Sequence, residues 1–114
     1  MARKLAPIFA DILTAITGIE TAVMNMIFEE FEKNWVVNHA AQRALEIISE
    51  ASRRIPSEAK LTQPSIRWAS IAGIGNVLRH DYNEISNEVI WKVVQQELPL
   101  LKRAIEAMAT THSE

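Results

Sequence analysis

The sequence predicts an all-α domain, and three observations carry that expectation. Apolar residues recur at spacings of three and four along most of the chain, while no window alternates with period two. Glycine is scarce, at three residues in 114, and the four prolines fall at 7, 56, 64 and 99. Such punctuation suits a few long helices with one real interruption. The composition, 48% hydrophobic and 23% charged, is that of a chain able to bury a core. Its length suits one domain, residues 1–114, since domains usually run ~100–150 residues. A domain of that size holds only ~5–15 kcal/mol of net stability, so association with a second copy would help it.

The elements follow in order. Ile8, Ile12, Ile16, Ile19 and Val23 form the apolar stripe of a first amphipathic helix, with Pro7 tolerated in its first turn. Asn25 is placed to cap a short helix that turns Phe28 and Phe31 inward and Glu29, Glu30 and Glu32 outward. A second long helix is expected from about Trp35 to Arg54, burying Ala41, Leu45, Ile48, Ala51 and Ile55. Gln42, Arg43, Glu46, Glu50 and Arg53 stay wet, and Glu50 and Arg54, four apart, are spaced to pair. Pro56 to Pro64 reads as a loop holding one helical turn after Ser57. A third helix runs from Trp68 to about Tyr82. A fourth starts after Ser86 as its cap, with Glu88 in the first turn and Ile90, Val93, Val94 and Leu98 inward. Pro99 kinks or restarts it, and Leu101, Ile105 and Met108 continue the stripe. Residues 110–114 read as a frayed, disordered tail.

Composition also removes whole classes of chemistry. The chain has no cysteine, which excludes disulfides, thiol catalysis, iron–sulfur clusters and thiolate zinc sites. Paired Glu-x-x-His motifs and His-Glu-x-x-His are missing, so no metal is expected. Phosphate-cradling glycine loops and a nucleophile elbow are missing too, and no cofactor is expected. The longest run without a charged side chain is Trp68 to Leu78, eleven residues and too short to span a bilayer. The apolar run after Lys4 ends at Asp11, unlike a signal peptide, which points to the cytoplasm.

Charge is distributed unevenly. The chain carries −2 overall, yet from Ser52 to His80 five basic residues stand against Glu58 alone, a local +4. The remainder carries −6. An anionic partner would meet Arg53, Arg54, Lys60, Arg67 and Arg79 first, although a solvated loop between helices would show the same run. Of the three histidines, His112 lies in the tail and His39 early in the second long helix beside Asn38, and both read as surface residues. His80 differs because of its neighbours. On a helix, Asn76 and His80 share a face, with Gly73 a turn further back, which makes a polar notch in an apolar helix. A buried helix rarely keeps such groups unless partners satisfy them, so the notch serves either a neighbouring helix or a ligand.

Several blocks of the sequence resemble one family. Ala41-Gln42-Arg43-Ala44-Leu45-Glu46-Ile47-Ile48-Ser49-Glu50-Ala51 is similar to the second helix of HepT-like proteins, small all-helical domains of the HEPN superfamily. Ile66-Arg67-Trp68, Ile71-Ala72-Gly73 and Asn76 through His80-Asp81-Tyr82 resemble their motif helix. Val89-Ile90-Trp91 and Glu97-Leu98-Pro99-Leu100-Leu101-Lys102 resemble their C-terminal part, so the likeness spans about residues 5–108 in order.

The resemblance implies an up-and-down HEPN bundle of four to five main helices, forming a homodimer. It implies the toxin half of a bacterial toxin–antitoxin pair, whose antitoxin is a small MntA-like nucleotidyltransferase. In that family the pattern Arg-Asn-x-x-x-His-x-Tyr carries metal-independent RNA cleavage where two protomers meet, and the antitoxin adds AMP to the motif tyrosine. By position, Asn76, His80 and Tyr82 match, and Gly75 stands where the arginine belongs. RNA cleavage through the 2′-hydroxyl needs a group titrating near neutrality, which His80 supplies, and a cation for the charge gathering on phosphate. Arg79 lies one turn after Gly75, and helical side chains lean toward the N-terminus, so its guanidinium is expected over the turn that Gly75 leaves empty. The expected roles are His80 as acid/base, Arg79 as phosphate clamp, Asn76 as orienting group and Tyr82 as adenylylation target. Arg53, Arg54, Lys60 and Arg67 would attract RNA or the partner. The alternative is a nuclease-inactive HEPN scaffold for a nucleotidyltransferase, on account of Gly75. Trp68 and Trp91 read as packing.

Overall fold

The computed structural model describes residues 4–80 and 86–111, with residue 80 described at its backbone only. Among these residues the order is α1 (Ala6–Val23), α2 (Phe28–Lys33), α3 (Trp35–Ser52), α4 (Ser57–Lys60), α5 (Trp68–His80), α6 (Asn87–Lys92), a π-helical turn (Val93–Glu97) and α7 (Leu98–Thr111). The all-α expectation is met, and the four main rods are α1, α3, α5 and the run from α6 through α7.

α1 forms as its pattern dictates. Pro7 sits in the first turn, where its missing N–H costs nothing, and Ile8, Ile12, Ile16, Ile19 and Val23 are all buried. The helix packs against both α3 and α7. By length and mean hydropathy, 1.4 over 18 residues, α1 is also apolar enough to cross a membrane, which corrects the estimate made from charge-free runs. Asp11 and Glu20 break those runs without lowering the average much. Here its stripe seals the core. Asn25 does not cap α2. It adopts φ 64° just beyond α1 and so ends that helix, a left-handed position that asparagine tolerates better than most residues. The first turn of α2 is held by Glu30 instead, whose Oε1 accepts the Ile27 N–H at 3.0 Å.

α3 is the central rod. Asn34 caps it by accepting the Val37 N–H at 3.0 Å, and Ala41, Leu45, Ile48 and Ala51 are buried along it, with Ile55 just beyond. The ion pair at its end joins Arg53 to Glu50 at 3.6 Å, so Glu50 does not pair with Arg54. The helix stops at Ser52, and the single turn expected after Ser57 is α4. Trp68 opens α5 and anchors it: its Nε1 donates to the carbonyls of Lys60 and Gln63, both at 3.2 Å. Trp91 packs its ring on Phe31 at 5.1 Å and Phe28 at 6.2 Å. Both tryptophans are packing residues.

Ser86 caps α6 as expected, accepting the Val89 N–H at 3.1 Å. Pro99 marks the place where the helix restarts, as expected, since α7 begins at Leu98 directly after the π-helical turn. It has no N–H to return to Gln95, and the chain widens into a π turn just before it, with Leu98 N–H reaching back five residues to Val93 O. α7 then runs to Thr111, where the hydroxyls of Thr110 and Thr111 donate to Glu106 O and Ala107 O. The expected tail therefore begins no earlier than residue 112. Residues 112–114, His112 among them, lie outside the described residues. Lys102 ties α7 to α1 through Glu20 at 3.0 Å.

Candidate functional site

The geometry of the site starts with a polar contact inside an apolar bundle. Ser49 projects from the face of α3 that meets α5 and is 1% exposed. Its Oγ donates to Ala72 O at 2.7 Å and accepts the Gly75 N–H at 3.0 Å. Arg53, one turn later, donates to the same Ala72 oxygen through Nη2 at 2.7 Å and Nε at 3.2 Å. Three donors therefore converge on one carbonyl, the one that the Asn76 N–H would meet in a regular α-turn. Ser52 completes the strip by donating to Ser49 O at 2.8 Å. α3 thus grips α5 through one turn of its backbone.

Gly75 makes that grip possible. A Cβ at this position would stand 2.9 Å from Ser49 Oγ and 3.1 Å from Ser49 Cβ, closer than packed atoms tolerate. The same point lies 3.4 Å from Nη1 of Arg79, so the guanidinium does lean back over the turn at 75. Gly73, by contrast, faces open space. Asn76 is exposed and has no hydrogen-bond partner among the described residues, so it does not serve as a tie between helices. His80 is the last described residue of α5, at its backbone. The His80 side chain, Asp81 and Tyr82 lie outside the described residues.

Contacts from Arg53 to Ala72 and from Ser49 to Gly75 show α3 and α5 running antiparallel. Beyond them opens a cleft of about 270 Å³ lined by Asp11, Arg43, Glu46, Ile47, Glu50, Ala51, Arg54 and Arg79. Arg43 pairs with Glu46 at 3.6 Å, and Glu50 with Arg53. Arg54 and Arg79 form no ion pair among the described residues, so they are the cations left for an incoming anion.

The basic segment does not act as a block. Arg54 joins Arg79, but Arg67 is engaged with Glu97 at 3.0 Å, and Lys60 stands 5.8 Å over the Trp68 ring. Arg53 is committed to Ala72 and Glu50. His39 is a surface residue, stacked on Trp35 at 4.1 Å with Nδ1 2.8 Å from Trp35 O; a carbonyl only accepts, so that nitrogen carries the proton. Among the described residues no three His, Asp or Glu side chains converge as metal ligands.

Sequence reasoning missed Ser49, Arg43 and Asp11. A signal for Ser49 was present: it is a hydroxyl on the buried side of a helix, beside Leu45, Ile48 and Ser52. Arg43 and Asp11 join the cleft only through tertiary packing.

Known proteins add a consistent picture. The family model described as ribonuclease HepT-like matches residues 12–108. A protein of Thermococcus cleftensis named Probable ribonuclease HepT is 36% identical over 108 residues, covering 95% of this chain and 98% of its own. An RNase-named protein of Methanocaldococcus jannaschii is 32% identical over 104 residues, 91% of this chain and 95% of that one. Another from Caldanaerobacter subterraneus subsp. tengcongensis is 31% identical over 100 residues, 88% and 89% of the two chains. No solved structure gives a significant match.

Proposed function

Since the chain belongs to the HepT-like ribonuclease family of HEPN domains, we propose that it is a metal-independent RNA endonuclease and the toxin of a toxin–antitoxin pair. The observation that carries the reading is the Arg79 guanidinium, seated over Gly75 on the helix that bears Asn76 and His80. Membership alone leaves the missing motif arginine unexplained. A cation one turn away, leaning back over the turn at 75, answers it.

The chemistry follows from the groups at hand. The 2′-oxygen of a ribose attacks the adjacent phosphorus, its proton passes to a base, and the 5′-oxygen leaves with a proton from an acid. The products are a 2′,3′-cyclic phosphate and a free 5′-hydroxyl. His80 is suited to both proton transfers because imidazole titrates near neutrality. A homodimer with the motif helices face to face supplies two such imidazoles, one as base and one as acid. Arg79, with Arg54 behind it, stabilises the charge gathering on the non-bridging oxygens, and Asn76, exposed on the same helix, hydrogen-bonds the backbone of the RNA. A nucleotidyltransferase antitoxin silences the site by adding AMP to Tyr82, which places bulk and negative charge where phosphate must bind.

The test uses the purified chain and single-stranded RNA. Cleavage without added metal is expected, with Arg79→Ala costing about a hundredfold or more, the scale set by loss of one charge-stabilising donor. His80→Ala abolishes both cleavage and the growth arrest caused by expressing the chain alone. A parent chain that neither cleaves RNA nor arrests growth overturns the nuclease reading in favour of an inactive scaffold for the nucleotidyltransferase.

A further inference from the structure

We propose that Ser49 is a positioning residue for this cleavage, and that Ser49, Gly75 and Arg79 form one coupled unit. In that unit the guanidinium comes from residue 79 because residue 75 has been given up to the contact between helices. The inference rests on the ribonuclease reading and adds to it a residue on a different helix.

The energetics of Ser49 point to placement. Its side chain is 1% exposed, at a place where an alanine of nearly the same volume would fill the space as well. What the hydroxyl adds is direction. It bonds Ala72 O and Gly75 N–H together, and those two groups bracket the turn that immediately precedes Asn76. This locks the rotation of α5 about its own axis. A rotation of about 20° would move a side chain on the outer radius of a helix by about 2 Å. A misplacement of about 1 Å at a reacting centre costs on the order of a hundredfold. Asn76, Arg79 and His80 all ride on that rotation.

Exclusion supplies the second half. The Ser49 Oγ is held on both sides, so it cannot swing away from a Cβ at 2.9 Å without giving up both bonds. Serine at 49 and a side chain at 75 therefore compete for the same space. The gap above Gly75 is the space that Nη1 of Arg79 occupies at 3.4 Å. One exchange thus removes an arginine from position 75, installs a clasp between helices and clears the path for Arg79.

The experiment combines substitutions at the three positions with RNA cleavage, oligomeric state and thermal unfolding. Ser49→Ala is expected to keep its helicity and oligomeric state while kcat falls about tenfold or more and KM stays unchanged, the mark of a misplaced group and not of lost binding. Gly75→Arg alone is expected to lose cleavage or fail to fold. Ser49→Gly with Gly75→Arg makes room at 49 and is expected to regain cleavage. In that background Arg79→Ala is expected to be nearly silent, although it costs about a hundredfold in the parent. A purely structural Ser49 would not transfer dependence from residue 79 to residue 75.

Three results overturn the proposal: a Ser49→Ala chain as active as the parent, a folded double variant as inactive as Gly75→Arg, or equal Arg79→Ala losses in both backgrounds. A parent without nuclease activity overturns the ribonuclease reading and the positioning role together. The helix contact is then judged separately, by whether Gly75→Ala lowers Tm and added Ser49→Gly restores it.

Discussion

α3 has two seams, and they are built on opposite principles. Toward α1 it meets a helix that buries Ile8, Ile12, Ile16, Ile19 and Val23, and the contact draws its strength from apolar area. Toward α5 it presents Ser49 and Arg53 to a carbonyl and a bare glycine backbone. The first seam draws on apolar area, which carries no direction of its own. The polar bonds of the second each net only ~0.5–1.5 kcal/mol, but they fix its register. The helix that must be placed accurately is the one held by directional bonds.

That contrast can be broken at either seam. Ile16→Ala, at a side chain with no exposure, is expected to have the largest effect, ~2–5 kcal/mol by denaturant unfolding. Gly75→Ala is expected next, at ~1–3 kcal/mol, because the added methyl meets a clasped hydroxyl with nowhere to move. Its loss should shrink when Ser49→Gly is added, and independent, additive losses at the two positions would contradict the clash. Ser49→Ala is expected to cost ~1 kcal/mol, as Arg53 still satisfies the Ala72 carbonyl. Smallest is Glu20→Ala, which removes the half-exposed pair to Lys102 and should cost under ~1 kcal/mol, less still in high salt. An unfolding series that ranked Ser49→Ala above Ile16→Ala would reverse the assignment of roles to the two seams.

Much of the molecule could be read from the sequence where one rule acts alone. The stripe from Ile8 to Val23 and the Ser86 cap are local patterns, and both stand as expected. The lean of Arg79 over Gly75 was legible for the same reason, since it follows from helix geometry within one turn. Readings failed where two rules competed. Asn25 can cap a helix or end one, and the left-handed site after α1 won. Glu50 had arginines at both three and four residues' distance, and Arg53 took the pair. Ser49 was overlooked because its meaning depends on residues 72 and 75, which reach it only through the fold.

The closeness of α3 and α5 at Gly75 also imposes an order on history. A lineage passing between a glycine and an arginine at position 75 cannot take the steps in any sequence. With serine at 49, the larger residue arrives into occupied space, so position 49 must shrink first. With glycine already at 49, position 75 is free to change. The two sites therefore change in a set order, and relatives with a side chain at 75 should carry glycine at 49.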